Sequence, residues 1–168
     1  MTNQSLIQTK HSQRYPSLSV VKYKNKAFYD NLWQDNAELT EARGRVINAD
    51  GNTVVRPFTK IFNHNENGVT IADDERVLVV DKINGFMAAA TYVEEVDDVV
   101  ISTTGSLDSP YVDIAKRNLP QQCINEIRTI AKRVQHINAI YASDPHHDRP
   151  KASQTTWLFE ICDAEDPL

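Results

Sequence analysis

Asp81-Lys82-Ile83-Asn84-Gly85 interrupts two apolar runs, Val77-Leu78-Val79-Val80 before it and Phe86-Met87-Ala88-Ala89-Ala90-Thr91-Tyr92 after it. Apolar runs of strand length on either side of Asn-Gly predict a β-hairpin, because these two residues tolerate the positive φ angles of a tight turn. Lys82 then has two readings. On a plain hairpin it is a solvated flank. At the end of a buried strand it can be held in a cleft, partly desolvated, and made nucleophilic. The readings are compatible, since a hairpin can carry a nucleophile.

The rest of the chain surrounds this break with short antiparallel elements. Val99 to Ser106 reads as a further strand ending in a Gly turn, so the stretch 77–106 is expected to be an antiparallel meander. Ala42 to Ile47 and Thr53 to Arg56 read as strands joined by the Asp50-Gly51 turn. Leu18 to Tyr29 is expected to be a strand that places Lys22, Lys24 and Lys26 on one face. That face is either solvated or, with Tyr23 beside it, suited to RNA. Asn31 to Glu41 is a short helix or an irregular connection. After Pro120, Ile124, Ile127, Ile130, Ala131, Val134, Ile137 and Tyr141 recur every three or four residues, which predicts one long amphipathic helix. Thr155 to Cys162 reads as a closing strand holding Glu160 among apolar residues, and residues 1–17 as a loosely docked start. The fold class is therefore α+β, with antiparallel sheets and a long helix in a single domain.

Charge and cysteine content narrow the function classes. Residues 1–60 hold nine Lys and Arg against five Asp and Glu, while the remaining 108 hold nine against eighteen, for a net charge of −5. An acidic chain is poorly suited to binding nucleic acid through bulk electrostatics, so recognition of phosphate has to be local and in the first third. No apolar stretch approaches the roughly 18 residues needed to span a bilayer, and the N-terminus lacks the apolar centre of a secretory signal. A cytoplasmic location is expected. Cys123 and Cys162 are too isolated to suggest a metal pair and are expected to be reduced. His146-His147 with Asp148 lacks the spacing of a metal-binding helix pair.

Several polar positions interrupt apolar segments in a recognisable order. Ala42-Arg43-Gly44, the segment Arg56-Pro57-Phe58-Thr59-Lys60-Ile61-Phe62-Asn63-His64-Asn65-Glu66, then Lys82-Ile83-Asn84-Gly85, Thr104-Gly105-Ser106 and Phe159-Glu160-Ile161 follow one another along the chain. This order resembles the ATP-dependent RNA ligases of the bacteriophage type, within the nucleotidyltransferase superfamily. The resemblance runs from about Tyr23 to the end of the chain and rests on the ordered set rather than on any single motif. Singly, Arg43 reads as a strand cation, Lys60 as a surface charge, Phe62 as core packing and Glu160 as a solvent-facing residue.

The resemblance implies a nucleotidyltransferase fold and a chemistry. Lys82 would attack the α-phosphate of ATP, release pyrophosphate and carry AMP as a lysyl-AMP. The AMP would pass to an RNA 5′-phosphate before a 3′-hydroxyl seals the strand. Arg43 and Lys60 would supply cations to the nucleotide, Phe62 would wall the adenine and Gly85 would let the backbone approach the phosphate. Glu160 would bind the ribose or help hold Mg²⁺, and Tyr23, Lys22 and Lys24 are candidates for the RNA end. The chain departs from the family pattern in two places. Thr104 stands where the family has a lysine, and the distal acidic and Lys-x-Lys strands do not follow Glu160. The expectation is therefore the N-terminal part of an adenylylation domain, truncated at its C-terminal side, with a missing segment or a partner completing the pocket. The alternative is an inactive remnant that retains nucleotide or RNA binding.

Overall fold

The computed structural model describes residues 6–34, 36–142 and 155–164, and over them the chain forms two antiparallel sheets and four α-helices. The first sheet runs β1 (Ile7–His11), β2 (Ser19–Tyr23), β3 (Arg43–Ile47) and β4 (Thr53–Val55), in that order. Two short helices, α1 (Asn25–Tyr29) and α2 (Ala37–Glu41), lie between β2 and β3. The second sheet places β5 (Phe86–Val93) between β6 (Asp98–Thr103) and β7 (Trp157–Ile161). Between β6 and β7 the chain forms α3 (Pro110–Asn118) and α4 (Gln121–Ile140).

Alternation along β5 explains the layering. Ala88, Ala90 and Tyr92 belong to a buried cluster with Val112 and Ala115 of α3 and Ile127 and Ala131 of α4. Ala89 and Val93, on the other face, pack with Val20, Val46 and Val55 of the first sheet and with Leu107. Successive residues of a strand point to opposite faces, so β5 is covered by helices on one side and by a sheet on the other. The small alanines fit a strand packed on both faces. A third cluster, built on Leu6, Ala27, Trp33 and Leu39, holds α1 and α2 against the first sheet.

The α+β class, the antiparallel pairing, the Asp50-Gly51 turn and the long helix agree with the sequence. At the turn Gly51 has φ +82° and its N–H donates to Asn48 at 3.0 Å. The long helix is fastened to the corner between β5 and β6. Lys132 reaches Asp97 at 2.8 Å, Arg128 reaches Asp98 at 2.8 Å, and the hydroxyls of Tyr92 and Tyr15 donate to Asp97 and Asp98 at 2.6 and 3.0 Å. No helix among the described residues is long and apolar enough to cross a membrane. Cys123 and Cys162 are free thiols, and neither is a core residue.

Four expectations are corrected. The expected meander over 77–106 begins only at Phe86: residues 56–85 contain no strand, and Val77, Leu78, Val79 and Val80 are 54–88% exposed. The hairpin at Asn84-Gly85 does not form, because both edges of β5 are taken, one by β6 and the other by β7. The strand expected over 18–29 stops at Tyr23, and Lys24 and Lys26 fall at the start of α1 instead of on a strand face. Ala27 is completely buried there, and Tyr23 packs edge-on against Trp33 at 4.9 Å, a tertiary anchor that favours the turn into a helix. Of the segment expected to be loosely docked, residues 6–17 are firmly held: β1 pairs with β2 over its whole length, and Ser12, Tyr15 and Leu18 are buried. Asp108 accepts from Ser12 Oγ at 2.8 Å and from the N–H groups of Gln13 and Arg14, fixing the β1–β2 connection. Helix α3 is an addition that sequence periodicity did not announce, although Ser109-Pro110 is a helix-start signal. The His146-His147-Asp148 segment lies outside the described residues.

Candidate functional site

A β-bulge builds the first part of the site. Between β2 and β3 the register passes from Val21 opposite Arg45 to Lys22 opposite Arg43, so Gly44 is the extra residue. Gly44 has φ +87°, a conformation that favours glycine, and bulges of this kind bend a strand and redirect its side chains. Space is a second constraint. A Cβ on Gly44 would lie 2.7 Å from Thr104 Cα, so the turn after β6 sits directly on the bulge.

The result is a cleft of about 250 Å³ lined by Lys22, Tyr23, Asn25, Ala42, Arg43, Thr104 and Gly105. Residues from the start, the first third and the middle of the chain meet in it. Lys22 and Arg43 stand directly opposite each other on neighbouring strands, both half-buried. Among the described residues neither has an acidic partner, whereas the nearby Arg45 and Arg56 both pair with Glu41, at 3.4 and 3.2 Å. Like charges directly opposite on a sheet are destabilising, and an anion between them would relieve the repulsion. Gly105 leaves room beside them: a Cβ there would lie 3.5 Å from Lys22 Nζ. The donor set fits a phosphate group.

Lys60 and Phe62 belong to an adjoining aromatic cluster. The Lys60 N–H donates to Thr40 O at 2.8 Å, and its ammonium donates to Ile61 O at 2.8 Å. That ammonium lies over the rings of Phe62, Trp33 and Phe28, at 4.7, 5.8 and 5.9 Å from their centroids. Trp33 touches both Phe62 and Tyr23 edge-on, so Tyr23 links this cluster to the cleft. One face of Phe62, expected to wall an adenine, is already covered by the Lys60 ammonium. Trp33 is a member the sequence reading missed, and its only signal was a lone tryptophan in a polar stretch.

Lys82 is elsewhere. It is exposed, its ammonium donates to Asn84 Oδ1 at 2.6 Å, and it is not among the residues lining the cleft. The end of its motif is nevertheless docked. Gly85 lies so close to β7 that a Cβ would collide with the Ile161 carbonyl and come within 3.2 Å of Glu160 Cγ. Cys162 Sγ donates to Asn84 O at 3.2 Å. Asn84-Gly85 and Phe159-Glu160-Ile161, far apart in sequence, are thus packed together, with Met87 opposite Glu160 in the β5–β7 ladder. The structure brings together three sets of expected residues: Lys22, Tyr23 and Arg43 in one, Lys60 and Phe62 in the second, Gly85 and Glu160 in the third.

Glu160 is exposed on β7, which is paired on one side only. Among the described residues no group of three or more His, Cys, Asp or Glu side chains could hold a metal ion. Among the described residues, those around Glu160 make no protein-built Mg²⁺ site. No protein-family model matches the chain, and no curated protein matches its sequence.

Proposed function

We propose that the chain is an RNA-ligase-like nucleotidyltransferase in which the Lys22–Arg43 cleft holds a phosphate of the nucleotide and Lys82 accepts the adenylyl group. The observation that carries this reading is the pair of half-buried cations facing each other without an acidic partner among the described residues, beside the space left by Gly105. Phosphoryl transfer depends chiefly on positioning and on neutralising charge, and two cations held apart by a sheet register supply both. The Lys82 nitrogen would form the new bond to the α-phosphorus as the bond to pyrophosphate breaks, with the amine giving up a proton. Gly85 lets that loop dock on β7 beside Glu160, whose exposed carboxylate would bind a ribose hydroxyl. An RNA 5′-phosphate would then receive the AMP.

A second reading, binding of nucleotide or RNA without transfer, draws on Lys82 itself. It lies on an exposed segment outside the cleft, and Thr104 occupies the place of a family lysine. One experiment separates the two. The protein is incubated with ATP labelled at the α-phosphate, and with Mg²⁺ as the usual partner of nucleotide phosphates. Transfer predicts covalent label that Lys82→Ala abolishes. Binding alone predicts no covalent label, but retention of ATP that Arg43→Ala weakens by about 1.5–3 kcal/mol, the range for hydrogen bonds to charged groups. A folded protein that neither takes label nor retains ATP refutes both transfer and nucleotide binding.

A further inference from the structure

Helix α1 presents a surface that the cleft does not use. Its one inward residue is Ala27, completely buried, while Lys24, Lys26, Phe28 and Tyr29 are all exposed. Phe28 is 53% exposed and Tyr29 77%, and their rings meet edge-on with centroids 5.5 Å apart. Two neighbouring exposed aromatic rings leave a large apolar area in water, which calls for an occupant. The surroundings say which kind. Lys60 Nζ stands 5.9 Å from the Phe28 ring, Lys24 and Lys26 precede the two rings, and the first 60 residues carry the chain's positive excess. Lys26 pairs with Asp30 at 3.2 Å, but both side chains are exposed and such a pair is weak enough for a phosphate to displace.

We propose that this face of α1 binds single-stranded RNA, with bases stacked on Tyr29 and Phe28 and phosphates held by Lys24 and Lys26. Exposed rings flanked by lysines match the two requirements of single-strand binding: a π surface that any base can use and a cationic track for the backbone. A protein partner docking through the same rings would use the lysines only if its own surface were acidic. The inference deepens the ligase reading by locating the strand that carries the RNA end, and it takes RNA as the partner from that reading.

The test is fluorescence anisotropy of a labelled short oligouridylate with the full chain, in the absence of ATP and across a salt series. Tyr29→Ala and Phe28→Ala are each expected to weaken binding about tenfold, within the range for losing one stacked base, while Tyr29→Phe keeps the affinity. Changing Lys24 and Lys26 to Gln is expected to weaken binding and flatten its salt dependence. All four positions are exposed, and circular dichroism checks that the variants fold. The proposal is overturned if the wild-type chain does not bind the RNA, or if the alanine variants bind it as tightly as wild type. It is equally overturned if these variants lose only a self-association seen by sedimentation. Because ATP is left out, loss of the RNA site and loss of adenylyl transfer are read separately.

Discussion

Val77-Leu78-Val79-Val80 and Ala88-Ala89-Ala90 of strand β5 lie close together in sequence, yet the run with the larger aliphatic side chains is the one in water. Every residue from Gly68 to Asn84 is exposed, including Val77-Leu78-Val79-Val80, whereas Ala88 to Val93 are all buried. Side-chain hydrophobicity favours burying residues 77–80, since a valine or leucine gains more from burial than an alanine. What separates them is hydrogen bonding. Strand β5 has β6 on one edge and β7 on the other, so its backbone polar groups can enter the core already paired. Residues 77–80 have no neighbouring strand, and burying their unpaired N–H and C=O groups would cost more than four apolar side chains return.

The largest expected effect tests this contrast with one substitution at two places. Leu107, 1% exposed and in the same buried cluster as Ala89 and Val93, should lose about 2–5 kcal/mol as Leu107→Ala. Leu78, 88% exposed, should change stability by no more than about 0.5 kcal/mol as Leu78→Ala. Urea denaturation measures both. A Leu78→Ala cost close to that of Leu107→Ala would mean that 77–80 is buried in solution, and the contrast would fail.

Two glycines sharpen the same comparison. Gly44 and Gly68 share a positive φ, +87° and +82°, so replacing either with alanine introduces similar backbone strain. They differ in surroundings: a Cβ on Gly44 meets the Thr104 backbone at 2.7 Å, and one on Gly68 meets nothing within 4 Å. Gly44→Ala is expected to cost about 1–3 kcal/mol more than Gly68→Ala, the usual range for overpacking. Equal costs would show that the turn after β6 does not rest on the bulge and that the cleft is not built as described.

The smallest effect concerns the clasp around α4. Burial, and then the hydrogen bond to Asp98, push the Tyr15 phenol up to about 12. Its unfolded value is near 10. A folded value above the unfolded one means that the contribution is fully present below about pH 10 and is lost as pH rises through the folded value. The urea midpoint should therefore fall between about pH 10 and 12, and Tyr15→Phe should flatten that fall. An unchanged slope in Tyr15→Phe would place the phenol in water.

Parts of the fold were legible because they are encoded locally. The three-to-four residue apolar spacing of α4 needs only its own backbone bonds, and Asp50-Gly51 needs only a glycine that tolerates positive φ. The candidate site was legible residue by residue but not as an arrangement. The Arg-Gly pair of β3 was visible, yet that Gly44 is a bulge, and that it sets Lys22 against Arg43, depends on β2 being its neighbour. Tyr23 and Lys22 entered as weak candidates for an RNA end and turn out to line the cleft.

The sequence by itself determined the α+β class, the long helix, the Asp-Gly hairpin, the charge excess of the first third and the identity of the polar residues that could do chemistry. Only the tertiary structure decided that β1 exists, that the chain turns into α1 after Tyr23, and that Lys82 projects from an exposed segment while its Asn84-Gly85 docks on β7. The reason is common to all three. A helix satisfies its backbone within its own turns, whereas a strand is stable only when another part of the chain completes its ladder. Which part does so is a property of the whole fold.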